Sequence, residues 1–257
     1  MSMLRCHHRP VQITRGAVEP MVALSVQGIT SRSTLPNGRR IVTEASFQAA
    51  PGQLTAVVGP SGAGKSTLLD VITGIAVPAS GSVLLGTTPM HPANSRRRSH
   101  LRARVFASAR QDGDLIDALS VDENVLLGQR LSRVPDRRLA EDVLAALGLG
   151  RETRRTAVQT LSGGQRRRVA LARALASGTR MVACDEPTTA LDQVSGDLVR
   201  GLLCDAVQGG RTVLVVTHDP ELVARADRVV QLAGGRTTAV VDRPDRQTVR
   251  QLMRSSS

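Results

Sequence analysis

One lysine occurs in the chain, Lys65, and it stands inside Gly59-Pro-Ser-Gly-Ala-Gly-Lys-Ser66. Arginine supplies every other basic side chain of this type, so the retained ammonium marks a position where a compact point charge is needed. A planar guanidinium suits bidentate forks and would crowd a tight backbone cradle. The spacing G-x-x-x-x-G-K-[ST] lets Gly59, Gly62 and Gly64 bring the backbone close to phosphate oxygens, with Pro60, Ser61, Ala63 and Thr67 completing the loop and its helix start. A helix beginning near Lys65 adds its N-terminal amides and positive dipole end to the same anion. Ser66 offers a hydroxyl to Mg²⁺. These residues imply a nucleoside triphosphate.

A second constellation is acidic. Cys184-Asp185-Glu186-Pro187 follows the apolar run Met181 to Ala183, which places both carboxylates at the carboxyl end of a buried strand, the edge where open parallel sheets bind ligands. Asp185 is suited to hold Mg²⁺ and Glu186 to polarise a water for attack on a γ-phosphate.

The elements that position these groups are legible as periodicity. Strand patterns run over about Met21 to Gln27 and Thr43 to Ala49, and the buried run Leu54 to Val58 leads into the glycine loop. Leu68, Leu69 and Ile72 share one face of the helix that follows. Residues from about Gln111 to Thr160 read as mostly helical, with Val143, Leu144 and Leu147 on one face and Asp136 as an N-cap. Strand and helix then alternate: Arg166 to Ala176 helical, Met181 to Cys184 strand, Ser195 to Val207 helical, Val213 to Val216 strand, with a short terminal helix over Asp245 to Met253. Alternation of this kind predicts an α/β fold with a mostly parallel sheet.

Composition narrows the class. The chain has 257 residues, 41% of them hydrophobic, enough for one large α/β domain with a modest insertion. No apolar run approaches a bilayer-spanning length, and the basic start has no apolar segment behind it. Three cysteines without a C-x-x-C pair suggest neither a disulfide framework nor a zinc site. The net charge of +12 fits an anionic membrane surface, nucleic acid, or a general preference for arginine. With no Trp or Tyr and only two Phe, the chain lacks the stacking platforms of single-strand binding, and no nucleic-acid partner is expected. Arg96-Arg97-Arg98 with Arg102 and Arg104 is the densest basic cluster and reads either as a contact for anionic lipid or an acidic partner, or as an exposed face. Residues 1–20 are expected to form a flexible extension, 21–244 the globular domain with a helical insertion at about 111–176, and 245–257 a tail. Met21 is an alternative start that N-terminal sequencing decides.

At Leu161-Ser-Gly-Gly-Gln165 the sequence resembles the signature motif of ATP-binding cassette (ABC) ATPases, and its place just upstream of Asp185-Glu186 is similar too. The likeness extends from Met21 to about Val241. It implies a P-loop NTPase core with an N-terminal antiparallel β region and an inserted helical subdomain. Gln111 resembles the glutamine that senses Mg²⁺ and the attacking water, Thr189-Ala-Leu-Asp192 the loop that touches a partner cassette, and His218 in Val216-Thr-His-Asp219 the histidine that contacts the γ-phosphate. Ser162, Gly163, Gly164 and Gln165 would then face nucleotide held by an opposite subunit, while Lys65, Glu186, His218 and Gln111 would act on the nucleotide held by this chain's own phosphate loop. The resemblance thus implies ATP and Mg²⁺, a second cassette as homodimer or heterodimer, an integral membrane transporter subunit, and a cytoplasmic position on the inner face of the cell membrane.

Within that family, Val216 to Val229 looks most like the lipoprotein-releasing and macrolide-exporter type. Other readings are a regulatory scaffold of the cell-division kind and a cassette protein of DNA repair or translation. The first is disfavoured by the presence of Glu186 and His218, the second by the lack of heptads, zinc modules and a second cassette. One departure stands out: family members usually carry an aromatic residue, most often Tyr, upstream of the phosphate loop to stack on adenine, and Ile29-Thr-Ser-Arg-Ser-Thr34 has none. Either Arg32 stacks its guanidinium on the base or Ser33 leaves the base loosely held.

Overall fold

The computed structural model describes residues 23–110 and 114–254. The expected N-terminal extension, the first residues of the earliest strand pattern and Gln111 lie outside them.

Two sheets form the scaffold. The larger has the strand order β10-β9-β3-β8-β7-β6, the smaller β2-β1-β4-β5. In chain order the elements begin with β1 (Leu24–Ser31), β2 (Ala45–Ala49), β3 (Leu54–Val58), α1 (Lys65–Ile72), β4 (Pro78–Leu85), β5 (Thr88–His91), α2 (Ser95–Val105) and β6 (Phe106–Ala109). They continue with α3 (Val121–Ser132), α4 (Arg137–Ala146), α5 (Arg151–Arg155), α6 (Gly163–Ala176), β7 (Met181–Asp185), α7 (Gln193–Gln208), β8 (Thr212–Val216), α8 (Pro220–Val223), β9 (Arg228–Ala233), β10 (Arg236–Asp242) and α9 (Arg246–Arg254). All pairings within the small sheet are antiparallel. In the large sheet β9, β3, β8, β7 and β6 run parallel, and β10 closes one edge as an antiparallel hairpin with β9.

The three central strands β3, β8 and β7 are buried along their whole length. Their alternate residues serve two cores, because successive side chains leave a strand on opposite faces. Leu54, Ala56, Val213, Val215, Val182 and Cys184 pack on one side with α6 and α7. Val57, Leu214, Val216, Met181 and Ala183 pack on the other, where Leu68, Leu69 and Ile72 of α1 are sandwiched between the two sheets. Burial on both faces explains why these segments read as continuous apolar runs and not as alternating ones.

The helix starts are set locally. Ser120 and Glu123 form a capping box on α3, and Ser162 and Gln165 another on α6. Asp136 caps α4 through Leu139 N at 2.9 Å, as its sequence context predicts. The structure also contains elements that periodicity leaves unmarked: α2, which turns the Arg96 to Arg104 cluster into a helix with no buried residue, the edge strands β6 and β10, and β9 beside β10. The helix after Asp192 begins at Gln193, two residues before the apolar pattern does. No helix among the described residues is long and apolar enough to cross a membrane.

Candidate functional site

Strand order builds the site. Lys65 follows β3, Glu186 follows β7, and β8 lies between those two strands, so His218, two residues beyond β8, emerges between them. The carboxyl ends of three adjacent parallel strands therefore carry the ammonium, the carboxylate and the imidazole to one place.

The loop after β3 is tight because its glycines touch backbone. A Cβ at Gly59 would lie well inside van der Waals contact distance of the Leu232 carbonyl oxygen on β9. Gly64 is the N-cap of α1 in left-handed geometry (φ 95°), makes no side-chain cap, and would place a Cβ 2.9 Å from the Ile41 carbonyl. The start of α1 thus has no side-chain cap and no acidic residue in its first turn, which suits an anion at the positive end of the helix dipole. Ser66 is exposed on that turn.

Lys65 is buried, and its Nζ donates to the carbonyls of Gly59 (2.7 Å) and Pro60 (2.9 Å) and meets His218 Nε2 at 3.1 Å. Desolvation lowers its pKa from the ordinary lysine value, and the nearby Glu186 and Asp185 carboxylates pull the other way.

Glu186 has a left-handed backbone (φ 51°), an uncommon conformation for a residue with a side chain. Its amide donates to Val216 O at 2.9 Å, which ties the turn after β7 to β8. The carboxylate accepts from Thr189 Oγ1 at 3.1 Å and from the His218 amide at 3.3 Å, and its other oxygen stands 3.5 Å from His218 Nε2. Beside it, Asp185 is buried with Oδ1 lacking any hydrogen-bond partner. A buried carboxylate oxygen without a donor is costly unless a cation or water meets it. Among the described residues no three His, Cys, Asp or Glu groups gather to cage an ion. Asp185 and Ser66 together fit an ion that keeps waters and takes its remaining ligands from a phosphate, as Mg²⁺ does.

Of the sequence-predicted residues, the structure gathers Lys65, Asp185, Glu186 and His218. Asp192 lines the same cleft as Glu186 and His218, and its carboxylate caps α7 through Ser195 N at 2.9 Å. That bond and the Ser195 hydroxyl hold its pKa below the usual carboxylate value. Ser162 and Gln165 satisfy each other in their capping box, and no hydrogen bond among the described residues joins Ser162, Gly163, Gly164 or Gln165 to Lys65, Glu186 or His218. Gln111 lies outside the described residues; its neighbour Arg110 pairs with Asp70 of α1 at 3.4 Å. The arginines after the signature pentapeptide are structural ties: Arg166 to Asp117 (2.7 Å), Arg167 to Thr189 O (2.8 Å) and Arg168 to Leu147 O (3.1 Å). Sequence reading missed Thr189 as a partner of Glu186, gave Asp219 no role beyond its place in the Val216 to Asp219 motif, and missed Arg200 altogether. A hydroxyl three residues after a glutamate is too common a pattern to signal anything alone.

A phosphate cradle at the strand edge, with an acidic strand end and a histidine converging on its lysine, defines a P-loop nucleoside triphosphatase. Residues 42–189 match the ABC transporter family, and the chain belongs to it as an ATP-binding subunit that hydrolyses ATP in support of transport. It is 40% identical over 206 residues to the lipoprotein-releasing system ATP-binding protein LolD of Cereibacter sphaeroides, covering 78% of this chain and 91% of that one. It is 39% identical over 203 residues to the macrolide export ATP-binding/permease protein MacB 1/2 of Paracoccus denitrificans, covering 78% of this chain but 30% of that longer one. Both agree with the subgroup that Val216 to Val229 suggests. Among solved structures it is similar to the dimeric ATP-binding cassette MJ0796 in a post-hydrolysis state bound to ADP and Pi, with a TM-score of 0.81, 26% identity, and coverage of 86% of this chain and 99% of that one. Cassettes of this family bind ATP, pair as dimers and work with membrane permeases.

Proposed function

We propose that Gly59 to Thr67 holds the phosphates of ATP, that Ser66, Asp185 and Gln111 hold Mg²⁺, and that Glu186 is the general base of hydrolysis. The observation that carries this reading is the pairing of Asp185, with its unpartnered buried oxygen, and Glu186, whose carboxylate reaches His218 at the end of the next strand. When bound, Mg²⁺ would neutralise charge on the β- and γ-phosphate oxygens. Lys65 exchanges its loop carbonyls for phosphate oxygens. Glu186 takes a proton from water as that water attacks the γ-phosphorus and the bond to the β,γ-bridging oxygen breaks. His218 donates to the γ-phosphate and orients the water. These are the positioning and electrostatic roles that phosphoryl transfer needs.

Ser162, Gly163, Gly164 and Gln165 present an exposed capped helix terminus away from Lys65 and complete the site of a second cassette, with Asp192 at the seam. Closure of the pair drives an integral membrane subunit from the cytoplasmic face, in an export or mechanotransmission system; the names of the lipoprotein-releasing and macrolide-export relatives support export. The test is the ATP-dependent dimer of the Glu186→Gln variant by light scattering. A dimer with ATP and a monomer without nucleotide is expected; a monomer under both conditions defeats the shared site.

A further inference from the structure

Arg200 lies in the middle of α7, where a lone arginine would ordinarily reach solvent, yet its side chain is only 7% exposed. One terminal nitrogen donates to Asp219 Oδ2 at 2.8 Å, and the other lies 2.8 Å from Glu221 Oε2 and 3.3 Å from Asp197 Oδ1. Gly196, one turn earlier, leaves the guanidinium room: a Cβ there would stand 3.0 Å from Nη1, a contact that would push the group by a few tenths of an ångström. Asp219 divides its two oxygens. Oδ1 caps α8 by accepting from Glu221 N (2.9 Å) and Leu222 N (3.3 Å), and Oδ2 takes Arg200.

Asp219 directly follows His218. The His218 backbone is therefore held at three points: Thr217 N on Val57 O at 3.2 Å, its own amide on Glu186, and Asp219 on Arg200. The first two tie it to the strands, and only the third ties it to α7, the helix that starts at Asp192. We propose that Arg200 is a positioning residue for His218, linking the N-terminal half of α7 to the segment that carries the imidazole. This rests on the reading of His218 as a γ-phosphate contact. Movement of Asp192 at a cassette seam then reaches His218 through one buried guanidinium. The fork geometry is what the role requires, because an ammonium is a single point that cannot hold Asp219 and Glu221 in fixed relative places.

The test compares Arg200→Met and Arg200→Lys, each alone and in a His218→Ala background, measuring kcat, KM for ATP and melting temperature. Arg200→Met is expected to lower kcat about tenfold with KM changed less than about twofold, and to have no further effect on the His218→Ala enzyme, since coupled residues lose additivity. Arg200→Lys is expected to recover part of kcat. Should Arg200→Met fail to fold, Asp219→Asn keeps the cap on α8 and removes the charge facing Arg200, and the same kcat loss is expected. An unchanged kcat in the folded variant, or an equal fold-loss in both backgrounds, overturns the proposal. A parental kcat in His218→Ala alone defeats the His218 reading instead.

Discussion

Lys65 Nζ and His218 Nε2 meet at 3.1 Å across 153 positions of chain. An ammonium only donates, so the ring nitrogen accepts and the imidazole proton resides on Nδ1 in this contact. The same Nε2 stands 3.5 Å from Glu186 Oε1, which wants a donor. One nitrogen cannot serve both, and under the proposed function the three groups form a junction whose hydrogen bonds would rearrange once a phosphate took over Lys65.

Glu186→Gln separates binding from turnover. The amide keeps an acceptor for Thr189 and the His218 amide but cannot take the proton of water. ATP affinity within about threefold of the parent and a kcat lower by at least about 10²-fold are expected; equilibrium binding and phosphate release measure the two.

Lys65→Met is expected to abolish measurable ATP binding while leaving the melting temperature equal or higher. Burial already disfavours the charged ammonium, and a Met fills the same volume without that cost. Lys65→Arg is expected to bind no better, because the guanidinium does not fit between Gly59 and the His218 ring. Titration with a fluorescent ATP analogue checks both.

Ser33→Tyr addresses the absent aromatic. Ser33 is exposed and its carbonyl accepts from Ile41 N at 3.1 Å, while Arg32 is engaged with Pro78 O at 3.3 Å, so a ring at 33 meets open space. One base-to-aromatic stack is worth about 1 to 3 kcal/mol, and tighter ATP binding with a changed ATP-to-GTP ratio is expected. Unaltered affinity and base preference would show that the position does not touch the base.

Cys184 is fully buried on β7, and burial pushes its thiol from 9.0 up to about 12. The native thiol is expected to ignore an aromatic disulfide reagent at pH 8 and to react at once in denaturant. The sign of the linkage follows. Above about pH 9 the unfolded thiol releases a proton that the folded one retains, so this group lowers stability as pH rises from about 9 to about 12. Urea midpoints for the parent and Cys184→Ala, compared over the accessible lower part of that window, are expected to shift relative to each other in the variant's favour as pH rises, because only the parent carries the thiol.

Much of the site was legible because its chemistry is local. Gly59 to Ser66, Asp185 with Glu186, and Val216 to Asp219 each sit within a few residues of a buried apolar run that ends in a loop, so motif and strand end could be read together. Asp136 as a cap and Leu54 to Val58 as a strand needed only neighbours in sequence. The hairpin of β9 and the edge strand β10 was not legible, because Arg228 to Asp242 mixes polar and apolar residues near a half-exposed margin where burial gives little periodicity. The helix α2 was missed for the same reason: it buries none of its side chains.

The sequence by itself determined the phosphate loop, the acidic strand end, the signature pentapeptide and the alternation that implies a parallel sheet. Only the tertiary structure decided that β8 lies between β3 and β7, and with it that His218 stands between Lys65 and Glu186. Strand order is a matter of pairing between segments far apart in the chain, and no local pattern encodes it. The same holds for Arg200: its burial against Asp219 and Glu221 depends on the fold that brings α7 to the start of α8. A charge on a helix reads as solvent-facing until its surroundings are known.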